Sequence, residues 1–214
     1  MDLGVTMLDL GGGTTTISVF YDGQCVHTDT IPVGGAHVTS DIARGLSTTM
    51  ETAERLKTLH GSCLAAHADD RETVSAPQIG QDEREQAIQV PKSFLVNIIA
   101  PRIEETFELV RARLEASNLD KLAGRRLVLT GGGSELPGVP EIARQILNKR
   151  IRVGRPRGVT GLADATTGPA FAACTGLLSF ALDERGDSRG MAALRAETGS
   201  GFFGRLGGWL RENF

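Results

Sequence analysis

The first thirty residues alternate in short apolar runs broken by turn-forming pairs. Residues 4–10 are dense in apolar types and predict a central strand. Residues 15–22 put Ile17, Val19 and Tyr21 on one face, and Asp22-Gly23 is a hairpin turn signal. Residues 24–31 predict a third strand, so the run reads as an antiparallel meander that Pro32 and Gly34-Gly35 bring to an end.

Helical spacing follows. Residues 38–47 and 50–60 predict two helices, with Ser40 or Thr49 as candidate caps. Residues 66–90 are polar and hold two weak strand patterns, 72–79 and 86–90. A long helical pattern opens at Ser93 and carries Phe94, Ile98, Ile103, Phe107, Val110 and Leu114; Pro101 predicts a break or kink, with a second helix starting there. Residues 127–129 predict a short strand running into Gly131-Gly132-Gly133, followed by a helix over 139–148, a strand over 151–153 and a helix over 167–182. A strand–helix–strand order implies a right-handed parallel crossover, so the expected sheet is mixed. Lys149 to Arg157 carries five cations and reads as a charged strand edge. Residues 183–201 turn polar and glycine-containing and predict a flexible linker.

Composition narrows the class. The chain has 214 residues, 40% of them hydrophobic and 23% charged, which is too apolar for a disordered protein and enough for a real core. A net charge of −3 gives no reason to expect nucleic acid as a partner. No apolar run approaches the ~18 residues of a spanning helix. The three cysteines (Cys25, Cys63, Cys174) and four histidines form no metal-ligand spacing, and the cysteines are expected to be buried free thiols of a cytosolic protein. The chain starts almost directly in a buried strand, which predicts a start inside a longer protein. Of the 27 glycines, thirteen fall at Gly11–Gly13, Gly34–Gly35, Gly131–Gly133 and between 199 and 208, so the glycine excess is local.

Two of those clusters carry candidate chemistry. Asp9-Leu10-Gly11-Gly12-Gly13-Thr14-Thr15 joins two strands, where glycines let backbone N–H groups approach a phosphate and Asp9 is placed to hold Mg²⁺ through water or to orient an attacking water. The turn lacks the Lys-Ser/Thr of a P-loop and opens no helix as a dinucleotide fingerprint would. Gly131-Gly132-Gly133-Ser134 again follows a buried strand and would let a base or ribose lie on the backbone. Glu54 and Lys57 share a helix face between them, either as a surface ion pair or as a ribose and adenine contact.

DLGGGTT with its hairpin, AERLK and LVLTGGGSELPGV together resemble the nucleotide-binding lobe of the actin-like ATPases. Within them IPVGGAHVTSDIARGL, IIAPRIEETFELV, RIRVGRPRGVTGLAD and the tail resemble the bacterial cell-division family FtsA, over nearly the whole chain. That resemblance implies an α/β fold: the ribonuclease-H-like (actin-like) second lobe with a mixed sheet at 1–34 and 121–182, and a smaller α/β subdomain at 35–120. It implies ATP and Mg²⁺ as ligands. Asp9 would lie near metal and water, and Gly11, Gly12, Gly13, Thr14 and Thr15 near the phosphates. Glu54 and Lys57 would meet ribose and purine, and Gly131, Gly132, Gly133 and Ser134 the adenosine. It also implies self-association into filaments and a surface for the FtsZ C-terminal tail around Arg102 and Glu105, on a helix starting at Pro101. A second D-x-G-[ST] hairpin is missing, since Asp22-Gly23-Gln24 does not fit, so ATP hydrolysis is not expected of this chain alone.

Residues 202–214 form the last pattern. On a helical wheel Phe202, Phe203, Leu206, Trp209 and Leu210 fall within about 120°, and Phe214 widens the arc to roughly 140°. Arginines lie opposite. This predicts an amphipathic helix for an anionic membrane surface. The combined expectation is an adaptor that tethers FtsZ at the cytoplasmic face of the bacterial inner membrane at the division site. The alternatives are a sugar or acetate kinase lobe of the same superfamily, or an actin-like filament scaffold.

Overall fold

The computed structural model describes residues 4–66, 70–80, 87–119, 124–157 and 163–182. The linker and amphipathic patterns at 183–214 lie outside the described residues.

The three N-terminal strands are β1 (Val5–Leu10), β2 (Thr15–Tyr21) and β3 (Gln24–Ile31), paired antiparallel as a meander. The turn between β2 and β3 has positive φ at both Asp22 (51°) and Gly23 (74°). That is the twist-matched two-residue turn that Asp-Gly favours. β6 (Arg126–Thr130) and β7 (Arg150–Val153) add in parallel on the other side of β1, so the sheet runs β3-β2-β1-β6-β7 and is mixed, as the pattern requires. The arginines of β7 stand on an edge strand.

Register explains which face is buried. Leu8 sits between Ile17 and Leu129 across the ladder, and all three are fully buried. The opposite face of β1 carries Val5, Met7 and Asp9, which are half-buried. Tyr21, placed on the Ile17–Val19 face by alternation, lies at the strand end and is exposed.

The helices are α1 (Gly35–Leu46), α2 (Met50–His60), α3 (Lys92–Ala116), α4 (Val139–Leu147) and α5 (Ala172–Leu182); β4 (Thr73–Ala76) and β5 (Ile88–Pro91) form a separate antiparallel pair. Thr49 caps α2 by accepting from the Thr52 amide at 3.2 Å. Ser40 falls inside α1, whose cap is Gly34. α3 packs against both α1 and α4 through Leu95, Ile99, Phe107 and Val110, all buried.

The expected break at Pro101 is absent: α3 is one helix of 25 residues, and no helix begins at Pro101. Proline inside a helix costs about 3 kcal/mol. Pro101 and Asn97, whose carbonyl loses its donor, are both exposed, while Val96, Ile99, Ile103 and Phe107 are buried on either side. Burying each such side chain is worth about 1.5–3 kcal/mol. The continuous apolar face therefore outweighs the proline.

The cysteines also differ from expectation. Cys63 is buried, and burial, with the nearby Glu104 and Glu141 charges, pushes its thiol up to about 12. Cys25 on the edge strand β3 and Cys174 on α5 are exposed; all three are free. Among the described residues no helix is long and apolar enough to cross a membrane.

Candidate functional site

A cleft of about 440 Å³ opens beyond the C-terminal end of β1. Its walls come from five separate pieces of chain: Gly11 and Gly12, the start of α1, Glu54 and Lys57 of α2, Ile103 and Thr106 of α3, and the segment from Gly132 to Pro137.

The first glycine turn is held from behind. The Gly11 amide donates to the Thr14 carbonyl at 2.9 Å, which closes the turn. The Gly35 and Ala36 amides then donate to the Gly11 and Gly12 carbonyls at 2.9 and 2.8 Å. These are first-turn amides of α1, which have no partner within their own helix. They anchor the loop. A Cβ at Gly34 would lie 2.6 Å from both of those carbonyls, so glycine is required there for space. Opposite this anchored side, a Cβ on Gly12 or Gly13 would meet nothing within 4 Å. The Thr15 hydroxyl is buried and donates to the Val33 carbonyl at 2.8 Å, whereas Thr14 is exposed. His37 completes the junction, its Nδ1 accepting from the Gly34 amide at 3.1 Å.

The second glycine turn is closed. Gly131 has φ +80°, and a Cβ there would fall 2.2 Å from Asp9 Oδ1 and 2.6 Å from the Leu10 carbonyl. A Cβ at Gly133 would fall 2.9 Å from the Leu10 Cβ. Both glycines let the turn press onto the end of β1. The buried Ser134 hydroxyl donates back to the Gly131 carbonyl at 2.7 Å. Gly132 and Gly133 line the cleft, while Gly131 and Ser134 support the turn from outside its lining.

Glu54 and Lys57 do lie together on the cleft wall, 2.7 Å apart. The pair is more than a surface contact. Lys57 Nζ also donates to the Thr39 hydroxyl at 2.9 Å and to the Gly35 carbonyl at 3.2 Å. The Thr39 hydroxyl donates to Glu54. Partial burial works to raise the Glu54 carboxyl, but the hydrogen bonds from Lys57 and Thr39 and the Lys57 charge outweigh it and hold the group below the ordinary glutamate range. The sequence reading missed Thr39, and also Ile103 and Thr106 of α3. For Thr39 and Thr106 the available signal was a threonine on an otherwise apolar helix stripe; Ile103 carried none beyond its place on that stripe.

Asp9 is the penultimate residue of β1, beside Thr16 and Thr130 on the neighbouring strands and outside the cleft lining. Burial raises its pKa above the ordinary aspartate value. A carboxylate with that cost is stabilised by a nearby cation. Among the described residues no group of three or more His, Cys, Asp or Glu is gathered for a metal. Gly11, Gly12 and Thr15 line the cleft, while Gly13 and Thr14 of the same turn are exposed outside its lining.

Arg102 is half-buried on α3 and engaged. Its Nε and Nη2 donate to the two carboxylate oxygens of Asp41 on α1, at 2.6 and 3.2 Å, and its Nη1 donates to Glu105. Arg102 thus bridges Asp41 of α1 and Glu105 of its own helix.

The match to known proteins comes from both sequence and shape. The model of the family described as cell division protein FtsA matches residues 6–176. The chain belongs to the FtsA family. The cell division protein FtsA of Rhizobium meliloti is 48% identical over all of this chain, and that of Agrobacterium fabrum 49%; each alignment covers 49% of the relative. The chain thus spans about half the length of the curated FtsA relatives it matches. The fold is actin-like: a crystal structure of MreB5 of Spiroplasma citri bound to ADP superposes with a TM-score of 0.62 at 19% identity, covering 83% of this chain and 53% of that one.

Proposed function

We propose that the chain is a nucleotide-binding lobe of an FtsA-type adaptor that links the FtsZ polymer to the cytoplasmic face of the inner membrane at the division site. The observation that carries the nucleotide part is the cleft itself. Gly11 and Gly12 of the anchored turn and the fixed Glu54–Lys57 pair line one cleft, and a Cβ on Gly12 would meet nothing within 4 Å. The ligand is ATP with Mg²⁺. Gly11 to Thr15 take the phosphates, with Thr14 supplying the free hydroxyl. Glu54 and Lys57 stand at the nucleoside end, with Gly132 and Gly133 as its floor. Asp9 stands by the metal and the attacking water. The relatives' greater length supports a second wall contributed by a further lobe, and hydrolysis requires that wall.

The partner part of the proposal places the FtsZ tail at Arg102 and Glu105, self-association into actin-like filaments on the same lobe, and peripheral membrane attachment through Phe202, Phe203, Leu206, Trp209, Leu210 and Phe214. Burying the first five of these side chains is worth roughly 7–15 kcal/mol gross, much of it offset by ordering the segment. Three assays test the reading: equilibrium binding of Mg-ATP, pull-down on an immobilised FtsZ-tail peptide, and flotation with anionic liposomes. The expected result is binding in all three, loss of peptide binding in Arg102→Glu, and loss of flotation when 202–214 are deleted. Wild-type flotation by the deletion overturns the membrane role, and wild-type peptide binding by Arg102→Glu overturns the placement of the partner site.

A further inference from the structure

Lys57 is placed at the nucleoside end of the cleft, yet its ammonium has no donor left for a ligand. Its three N–H groups meet three acceptors: Glu54 Oε2 at 2.7 Å, the Thr39 hydroxyl at 2.9 Å and the Gly35 carbonyl at 3.2 Å. Thr39 is the hub. It sits on the second turn of α1, is 2% exposed, and does not line the cleft. Its hydroxyl has one proton and two acceptors in reach, Gly35 O and Glu54 Oε2. The shorter, charge-assisted contact is to the carboxylate, which leaves Gly35 O to Lys57.

The consequence falls on Glu54. One carboxylate oxygen, Oε2, is held by Thr39 and Lys57, while the side chain remains half-exposed on the cleft wall. An exposed i,i+3 ion pair alone is worth only about 0.2–0.5 kcal/mol and does not fix a rotamer. Two anchors on one oxygen do. They occupy Oε2 and leave the other oxygen, Oε1, as the acceptor of this cleft-lining side chain that neither anchor uses.

We infer that Thr39 is a positioning residue for the nucleoside end of the cleft: its hydroxyl joins α1 to α2 and holds Glu54 so that the free carboxylate oxygen receives ligand hydroxyls, while Lys57 acts as a strut behind it. This rests on the nucleotide reading above and assigns separate jobs within it. The proposed phosphate turn, Gly11 to Thr15, is anchored by the Gly35 and Ala36 amides and by Thr15 to Val33, not by the Thr39 hydroxyl, so phosphate binding does not depend on Thr39.

The test uses the full 214-residue chain with Thr39→Val, which keeps the shape and removes the hydroxyl, and Thr39→Ser, which restores it. Mg-ATP and inorganic tripolyphosphate are the probes, and the Glu54 carboxyl is titrated by NMR without ligand. The expected result is that Thr39→Val weakens ATP binding about tenfold, leaves tripolyphosphate binding unchanged and shifts the Glu54 titration upward. Thr39→Ser behaves as wild type in all three. Wild-type ATP affinity and an unmoved Glu54 titration in Thr39→Val overturn the inference. Equal loss of both probes with a lowered Tm, not rescued by serine, also overturns it in favour of a packing role. Absence of ATP binding in the wild type overturns the nucleotide reading instead, and the ligand-free Glu54 titration then still judges whether Thr39 holds the carboxylate.

Discussion

At Gly11–Gly13 the chain leaves β1 with two glycines facing open space; at Gly131–Gly133 it leaves β6 with two glycines pressed on the end of β1. Both turns are triple glycines after a buried strand, yet the neighbours differ. In the first, the carbonyls of Gly11 and Gly12 are tied down by α1, and the absent Cβ atoms leave room on the far side for a ligand. In the second, the absent Cβ atoms leave room for Asp9 and Leu10 of the protein itself, and Gly131 also needs its left-handed φ of +80°. One turn is open on the Gly12–Gly13 side, as the proposed ligand role needs, and the other brings two strands' ends together. Glycine at Gly12 and Gly13 is not required by any protein neighbour, whereas at Gly131 and Gly133 it is required by packing on β1.

Substitutions separate the two. Gly131→Ala combines a strained backbone, about 1–2 kcal/mol, with overpacking of about 1–3 kcal/mol. Thermal unfolding should show a loss of about 2–5 kcal/mol, and an unchanged Tm would mean the turn yields more readily than its contacts indicate. Gly34→Ala meets two carbonyls in an extended backbone that any residue adopts, so only the overpacking remains, about 1–3 kcal/mol by the same measurement. A Gly34→Ala loss larger than that of Gly131→Ala would reverse the contrast between the turns.

Asp9→Asn is the smallest effect and has a pH signature. Burial raises the Asp9 pKa above 3.8, so the folded state holds that proton more tightly than the unfolded chain does. Stability from this group is therefore fullest below the unfolded pKa and falls as pH rises through the folded value. At neutral pH the carboxylate is a cost, and Asp9→Asn should raise Tm slightly while reducing Mg-ATP affinity. At pH below the unfolded pKa the Tm difference should vanish. A lowered Tm at pH 7 would show that Asp9 is held by favourable contacts instead.

Much of this was legible because it is local. Asp22-Gly23 specifies its turn by backbone preference, and Thr49 its cap by side-chain reach. Glu54 and Lys57 share a face by helix geometry. The mixed sheet follows from a meander plus one strand–helix–strand unit. What was not legible depends on distant chain. Pro101 looks like a break until the burial of Ile99 and Ile103 on both sides is known. Thr39 looks like an ordinary helix residue until α2 brings Lys57 to it, 18 positions away. The two triple glycines look alike until Asp9 is found against one of them. Cys25 and Cys174 look like core thiols because cysteine usually is buried, and only an edge strand and an exposed helix show otherwise.

The claim that the first turn is the ligand-facing one is tested most directly by titrating the isotopically labelled 214-residue chain with Mg-ATP, as wild type and as Gly12→Ala, and following backbone amide shifts. The account predicts saturable shifts at Gly12, Gly13 and Glu54. It further predicts that Gly12→Ala, whose Cβ would meet nothing within 4 Å, binds about tenfold more weakly with its unfolding free energy within ~0.5 kcal/mol of wild type. Shifts that spare Gly12 and Gly13, or a Gly12→Ala chain that binds Mg-ATP as the wild type does, would contradict it.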